Sequence, residues 1–108
     1  MPFEQITPRE FTLGGVKTYA PEVSGVYGIS NARQWIYIGV TDNIRVSLLG
    51  HLQEPATSVM QCVPTGFVYE ACEQGRRSSR QDRLILEYEP ACNRLIREHS
   101  TSSGRKAF

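Results

Sequence analysis

The chain has 108 residues, 40% of them apolar and 9% aromatic, with a formal net charge of +1. That length supports one domain with a single modest core and not two. No apolar run approaches the ~18–20 residues of a membrane-spanning helix, and a near-neutral charge balance is a weak electrostatic signal for nucleic acid.

Residues 1–20 hold Pro2, Pro8 and the Gly14-Gly15 pair and read as an irregular lead-in, with Phe11, Leu13 and Val16 in a short strand or packed on the core. Residues 26–29 and 35–40 are rich in β-branched and aromatic side chains, which favours two strands. The intervening residues 30–34 have the composition of a hairpin loop. With Tyr27 opposite Tyr37 the pairing sum is even, and both hydroxyls leave the same sheet face. A one-residue slip would send them to opposite faces.

Thr41-Asp42-Asn43 then offers N-cap side chains ahead of a helical pattern. Ile44, Leu48, His51 and Leu52 follow the i, i+4, i+7, i+8 stripe of a buried face. Ser47 lies one turn before His51 and shares its side of the helix. Arg45 is turned roughly 200° from Ser47 at ~100° per residue and points elsewhere. Glu54-Pro55 ends this helix, and residues 55–64 form a connection with helical character over 57–61.

Residues 66–72 read as a third strand, with Phe67, Tyr69 and Ala71 on one face and Val68, Glu70 and Cys72 on the other. The second clear helix is expected to start near Ser78, where Ser78-x-x-Gln81 makes a capping-box pattern. Its apolar stripe is Leu84, Ile85 and Tyr88, and Pro90 breaks it. A further turn over 93–98 packs through Leu95 and Ile96. The domain is placed at residues 21–98, with 99–108 a flexible C-terminal tail.

Cys62, Cys72 and Cys92 contain no CxxC and match no zinc template, so they read as structural thiols. The start, Met1-Pro2-Phe3-Glu4, lacks a basic-then-apolar leader pattern. Together these lead to an expectation of a cytoplasmic protein with no membrane partner.

The pieces Gly25-Val26-Tyr27 and Tyr37-Ile38-Gly39, followed by Asn43 and His51 and then by Leu84-Ile85, Pro90 and Asn93, resemble the signature of the GIY-YIG nuclease family. The resemblance covers roughly residues 20–97. It implies a small α/β (α+β) domain with a three-stranded central antiparallel sheet flanked by helices, in the order β-β-α-β-α-α. In that family a tyrosine helps activate the water that attacks a phosphodiester. An arginine on the first helix stabilises the phosphorane charge, and a glutamate on the later helix holds one divalent metal.

Carried onto this chain residue by residue, the resemblance matches Tyr27 and Tyr37 to the family tyrosines. Gly39 matches the glycine of the second tripeptide, where a small residue lets the helix approach the strand. His51 matches a position where many members carry histidine, and Asn93 one that braces the site by hydrogen bonds.

The arginine position, ten residues after Tyr37, holds Ser47. The metal-glutamate position, nine residues before Pro90 and twelve before Asn93, holds Gln81. Phosphoryl chemistry needs compensation for developing charge, and Mg²⁺ wants carboxylate oxygen; neither residue supplies these. No residue is therefore assigned as catalytic. What is expected is a remnant cleft of Tyr27, Tyr37, Gly39, Arg45, Ser47, His51, Gln81 and Asn93, with no metal ligand and no cofactor.

The expected function is a nuclease-like module, catalytically inactive, that binds nucleic acid or a protein. The alternative is a divergent metal-dependent DNA endonuclease in which Arg45 and a relocated carboxylate, Asp82 or Glu87, rebuild the site; only then is Mg or Mn implied.

The charge distribution bears on the partner. Residues 1–74 carry four Lys/Arg against seven Asp/Glu, and residues 75–108 carry eight against four. Arg76, Arg77, Arg80 and Arg83 cluster around the start of the second helix. They are candidates for phosphate contact, set where cations oppose the helix macrodipole.

Overall fold

The computed structural model describes Phe3 and residues 7–93. In chain order the elements are β1 (Arg9–Glu10), α1 (Leu13–Tyr19), β2 (Gly25–Ser30), β3 (Trp35–Thr41), α2 (Ile44–Leu52), α3 (Ser58–Gln61), β4 (Gly66–Ala71) and α4 (Arg77–Tyr88), the last entered through a 3₁₀ turn at Gln74–Arg76. The expected turn over 93–98 is described only at its start, where residues 91–93 are helical. The rest of that turn and the expected tail lie outside the described residues.

The sheet has four strands, not three, in the order β1-β4-β2-β3 and antiparallel throughout. The extra strand comes from the expected irregular lead-in, which also supplies α1. β1 is two exposed residues paired antiparallel to the edge of β4, so it leaves no apolar alternation to read. α1 forms despite Gly14-Gly15 because Thr12 caps it, accepting a hydrogen bond from Gly15 N at 3.0 Å, while Val16 and Ala20 are fully buried.

β2 is buried at all six positions because it pairs on both sides and is covered on both faces. Tyr27, Ile29 and Phe67 face one core with Ile44, Leu48, Val16 and Val59. Val26, Ile38 and Val68 face a second core with Leu84 and Phe3.

A register shift after Ile29 makes Ile36 the extra residue of a β-bulge, since Ile29 pairs with Tyr37 and Ser30 with Trp35. The bulge places Ile36 and Tyr37 with the first core and sends Trp35 to the second. Trp35 there stacks 4.4 Å from the Tyr88 ring and 5.8 Å from Phe3. It is a core aromatic, as most strand aromatics are.

Asn43 caps α2 as its sequence suggests, its side chain accepting from Val46 N at 3.1 Å. Thr57 does the same for the four-residue α3. The capping box expected at Ser78 does not form: α4 starts at Arg77 with no side-chain cap, and Gln81 turns inward to the sheet instead. α4 ends at Tyr88, where Glu89 takes a left-handed conformation (φ 48°) ahead of buried Pro90.

Candidate functional site

β2, β3 and α2 bring three of the sequence-predicted residues into one cluster. The strands pair with Tyr27 opposite Gly39 and Ile29 opposite Tyr37, so the register sits two residues from the expected Tyr27–Tyr37 pair. A two-residue offset preserves the face. Both rings project toward α2, with centroids 6.0 Å apart, and His51 closes the triangle at 5.7 Å from Tyr27 and 5.4 Å from Tyr37.

Gly39 is crowded by both tyrosines. A Cβ there would fall 2.7 Å from Cζ and Oη of Tyr27 and 2.8 Å from the Tyr37 ring. The missing side chain makes room for the Tyr27 ring to lie across β3.

Tyr27 Oη stands 2.8 Å from His51 Nε2. Burial, with Tyr37 nearby, raises the Tyr27 pKa well above the ordinary tyrosine value, and burial with Cys92 nearby raises that of Tyr37. Both phenols are protonated at neutral pH. Burial lowers the His51 pKa. A neutral phenol and a neutral imidazole therefore share this hydrogen bond, and the imidazole tautomer sets which of the two donates.

The depressed His51 pKa sets a pH dependence. The unfolded chain takes up this proton first, so the stabilisation is complete above about pH 6.5 and is lost as pH falls below that value toward the folded-state pKa. A melting-temperature titration should fall on the acid side of about pH 6.5, and His51→Gln should flatten that fall. An identical slope in the variant would assign the acid loss to other groups.

The two positions that carry charge in the resemblance are neutral and tied up here. Ser47 Oγ donates to Thr41 Oγ1 at 2.5 Å, and that threonine also accepts from Asn43 N and donates to Asn43 O. Gln81 Nε2 donates to Ile38 O at 3.1 Å. Asn93 joins it there: Nδ2 donates to Ile38 O at 2.8 Å, and Oδ1 accepts from Ile38 N at 2.5 Å.

β3 is the outer strand of the sheet, and Ile38 lies opposite Gly28 on β2. The Asn93 side chain therefore acts as a one-residue surrogate strand, covering the open edge. The sequence singled out Asn93 and Gln81, but nothing in it pointed to the Ile38 backbone as their common partner. Thr41 was likewise missed as the partner of Ser47.

The remaining predicted residues do not converge on this cluster. Arg45 Nε donates to Ala20 O at 2.8 Å and its Nη1 pairs with Glu22 at 3.4 Å, so it is tied to the segment after α1. Asp82 and Glu87 are exposed on α4.

The arginine group divides in two. Arg77 is bonded to Asp42 at 2.5 Å, and Arg80 makes a two-pronged bond to Glu70 at 2.6 and 2.8 Å with both side chains largely covered. Arg76, in the turn that enters α4, and Arg83, in the middle of the helix, are exposed.

The fold and this cluster define a small α+β domain with the GIY-YIG endonuclease architecture. The similar solved structures are crystal structures of the GIY-YIG N-terminal endonuclease domain of UvrC from Thermotoga maritima. One, bound to its catalytic magnesium, is 24% identical with a TM-score of 0.58, covering 69% of this chain and 91% of that one. Two point mutants bound to the catalytic divalent cation, a tyrosine-to-phenylalanine and an asparagine-to-alanine change, each show 22% identity and a TM-score of 0.59 over 69% of this chain and 90% of theirs. No protein-family model and no curated protein sequence matches this chain.

At the position that the resemblance gives to the metal carboxylate, this chain carries Gln81. A hard divalent ion is held by oxygen ligands in which carboxylates usually take part, and Gln81 is a neutral amide whose nitrogen, the donor to Ile38 O, faces the sheet. Among the described residues no group of three or more His, Cys, Asp or Glu side chains is placed to hold a metal ion. No helix among them is long and apolar enough to cross a membrane.

Proposed function

We propose that this domain is a nuclease-fold module that binds nucleic acid without cutting it. One observation carries the proposal: at the two positions where the resemblance calls for an arginine and a metal carboxylate, Ser47 is bonded to Thr41 and Gln81 to Ile38 O. Each preorganised electrostatic group is worth ~10²–10³ in rate, so losing both removes any familiar one-metal route to phosphodiester cleavage. The tyrosines do not compensate, because both are held protonated by burial and make poor bases.

The endonuclease alternative requires Arg45 to leave Ala20 O and Glu22, and a carboxylate of α4 to turn toward Tyr27 and Tyr37. Nucleic acid is favoured as the partner because the endonuclease architecture is shared and Arg76, just before α4, and Arg83, in its middle, are both exposed.

Two assays test this. Supercoiled plasmid with Mg²⁺ or Mn²⁺ should show no nicking above a Tyr37→Phe control; strong metal-dependent nicking that this change abolishes would establish the endonuclease instead. Fluorescence anisotropy with short duplex and single-stranded probes should show affinity that weakens as salt rises. The double change Arg76→Ala, Arg83→Ala should reduce both the affinity and the salt slope. Absence of binding at low salt would move the assignment to a protein partner.

A further inference from the structure

Two of the three cysteines form a pair that the cleft does not use. Cys62 Sγ and Cys92 Sγ lie 3.8 Å apart, joined from positions 30 residues distant in the chain. Cys92 is fully buried and Cys62 is partly buried at the C-terminal end of α3. Cys72 packs against the second core, on the other side of the sheet from this pair.

The segment after Cys62 is under backbone strain. Val63 is β-branched, precedes Pro64 and yet has φ 55°, a left-handed conformation costly for such a residue, and it is 70% exposed. A four-residue helix ending in a strained, exposed turn can move, whereas Cys92 is fixed in the core beside the Asn93 clamp. The sulfurs need only close from 3.8 Å to about 2.05 Å to bond.

We propose that Cys62 and Cys92 are a redox site, forming a reversible intrachain disulfide by exchange with a low-molecular-weight disulfide of the glutathione type. Cys62, the less buried thiol of the pair, loses its proton and attacks one sulfur of the glutathione disulfide. That S–S bond breaks and one glutathione leaves as a thiolate, which takes up a proton. Cys92 then loses its proton and attacks the Cys62 sulfur of the mixed disulfide, releasing the second glutathione. Two protein thiols are oxidised by two electrons in all, and one glutathione disulfide is reduced to two thiols.

Burial and the neighbouring Cys62 push the Cys92 thiol up to about 11, which makes it a poor first attacker and leaves that step to Cys62; the 3.8 Å sulfur separation is what favours the second. The bond would tie the end of α3 to the turn whose next residue, Asn93, holds Ile38 between Tyr37 and Gly39.

The test uses the full chain, reduced and then equilibrated with oxidised glutathione. The expected product is a monomer two hydrogens lighter, with a Cys62–Cys92 linkage in the peptide map and Cys72 as the sole thiol alkylated after denaturation. Excess reduced glutathione should return all three thiols. The Cys72→Ser chain should form the same linkage. Glutathione retained on Cys62, a linkage to Cys72, a disulfide-linked dimer, or three unreacted thiols would each overturn the proposal. The wild-type result is decisive without a cysteine-free variant, so a folding defect in Cys72→Ser leaves the test intact.

Discussion

Gly25→Ala is expected to lower the unfolding free energy by about 3 kcal/mol, at the upper end of overpacking costs. A Cβ at this position would lie 2.3 Å from Glu70 O, 2.8 Å from Ile44 Cδ1 and 3.1 Å from Ala71 Cα. Two of those three atoms are β4 backbone, directly across the β2–β4 ladder where Gly25 pairs with Ala71. A strand cannot withdraw from its neighbour without giving up ladder hydrogen bonds, so the clash has no inexpensive relief.

The internal control is Gly50→Ala on α2, where a Cβ meets nothing within 4 Å. That change should stabilise by about 0.5–1 kcal/mol, because alanine is the better helix former. Urea unfolding of the three chains should show midpoints moving in opposite directions at unchanged m. A Gly25→Ala midpoint equal to wild type would mean that β2 and β4 separate easily, and the close approach would not explain the glycine.

Asn93→Ala is expected to cost about 3 kcal/mol, by a different mechanism. The side chain is buried and satisfies both the N–H and the C=O of Ile38. After truncation Ile38 O retains Gln81 Nε2, but the Ile38 N–H loses its Asn93 acceptor. Leaving one buried donor unmade costs about 1–3 kcal/mol, and the lost volume adds to it.

Asn93→Asp should be no better, since it keeps the acceptor but turns a carboxylate oxygen toward Ile38 O. Hydrogen exchange separates the clamp from a general loss of stability: the Ile38 amide should accelerate by more than the amides of β2. Uniform acceleration across the sheet would show that Asn93 is merely core filling.

Much of the fold was legible because the strongest signals are local. Strands β2, β3 and β4 carry runs of β-branched and aromatic residues, α2 has its Asn43 cap and its Ile44–Leu48 stripe, and α4 has Leu84, Ile85 and Tyr88. β1 and α1 were missed. β1 is held by backbone pairing to β4, which no window of sequence displays; the Thr12 cap and the Val16–Ala20 pair of α1 are local signals, outweighed in the reading by Gly14-Gly15 and the nearby prolines. The capping box at Ser78 failed for a related reason: the tertiary bond from Gln81 to Ile38 O replaced the local one.

The candidate site divides along the same line. By itself the sequence determined which chemical groups are available: Tyr27, Tyr37 and His51 are present, while Ser47 and Gln81 bring no charge. Residue identity settles charge, and no folding can add a carboxylate or guanidinium to those positions.

Only the tertiary structure decided which groups meet. It set the two-residue register offset, the Ile36 bulge that turns Tyr37 and Trp35 apart, the withdrawal of Arg45 to Ala20 O, and the division of the α4 arginines into paired and exposed. It also brought Cys62 to Cys92 and Asn93 to the open edge of β3. Such contacts join residues up to 55 apart in the chain, and they arise from how two cores close around one sheet, which no local preference encodes.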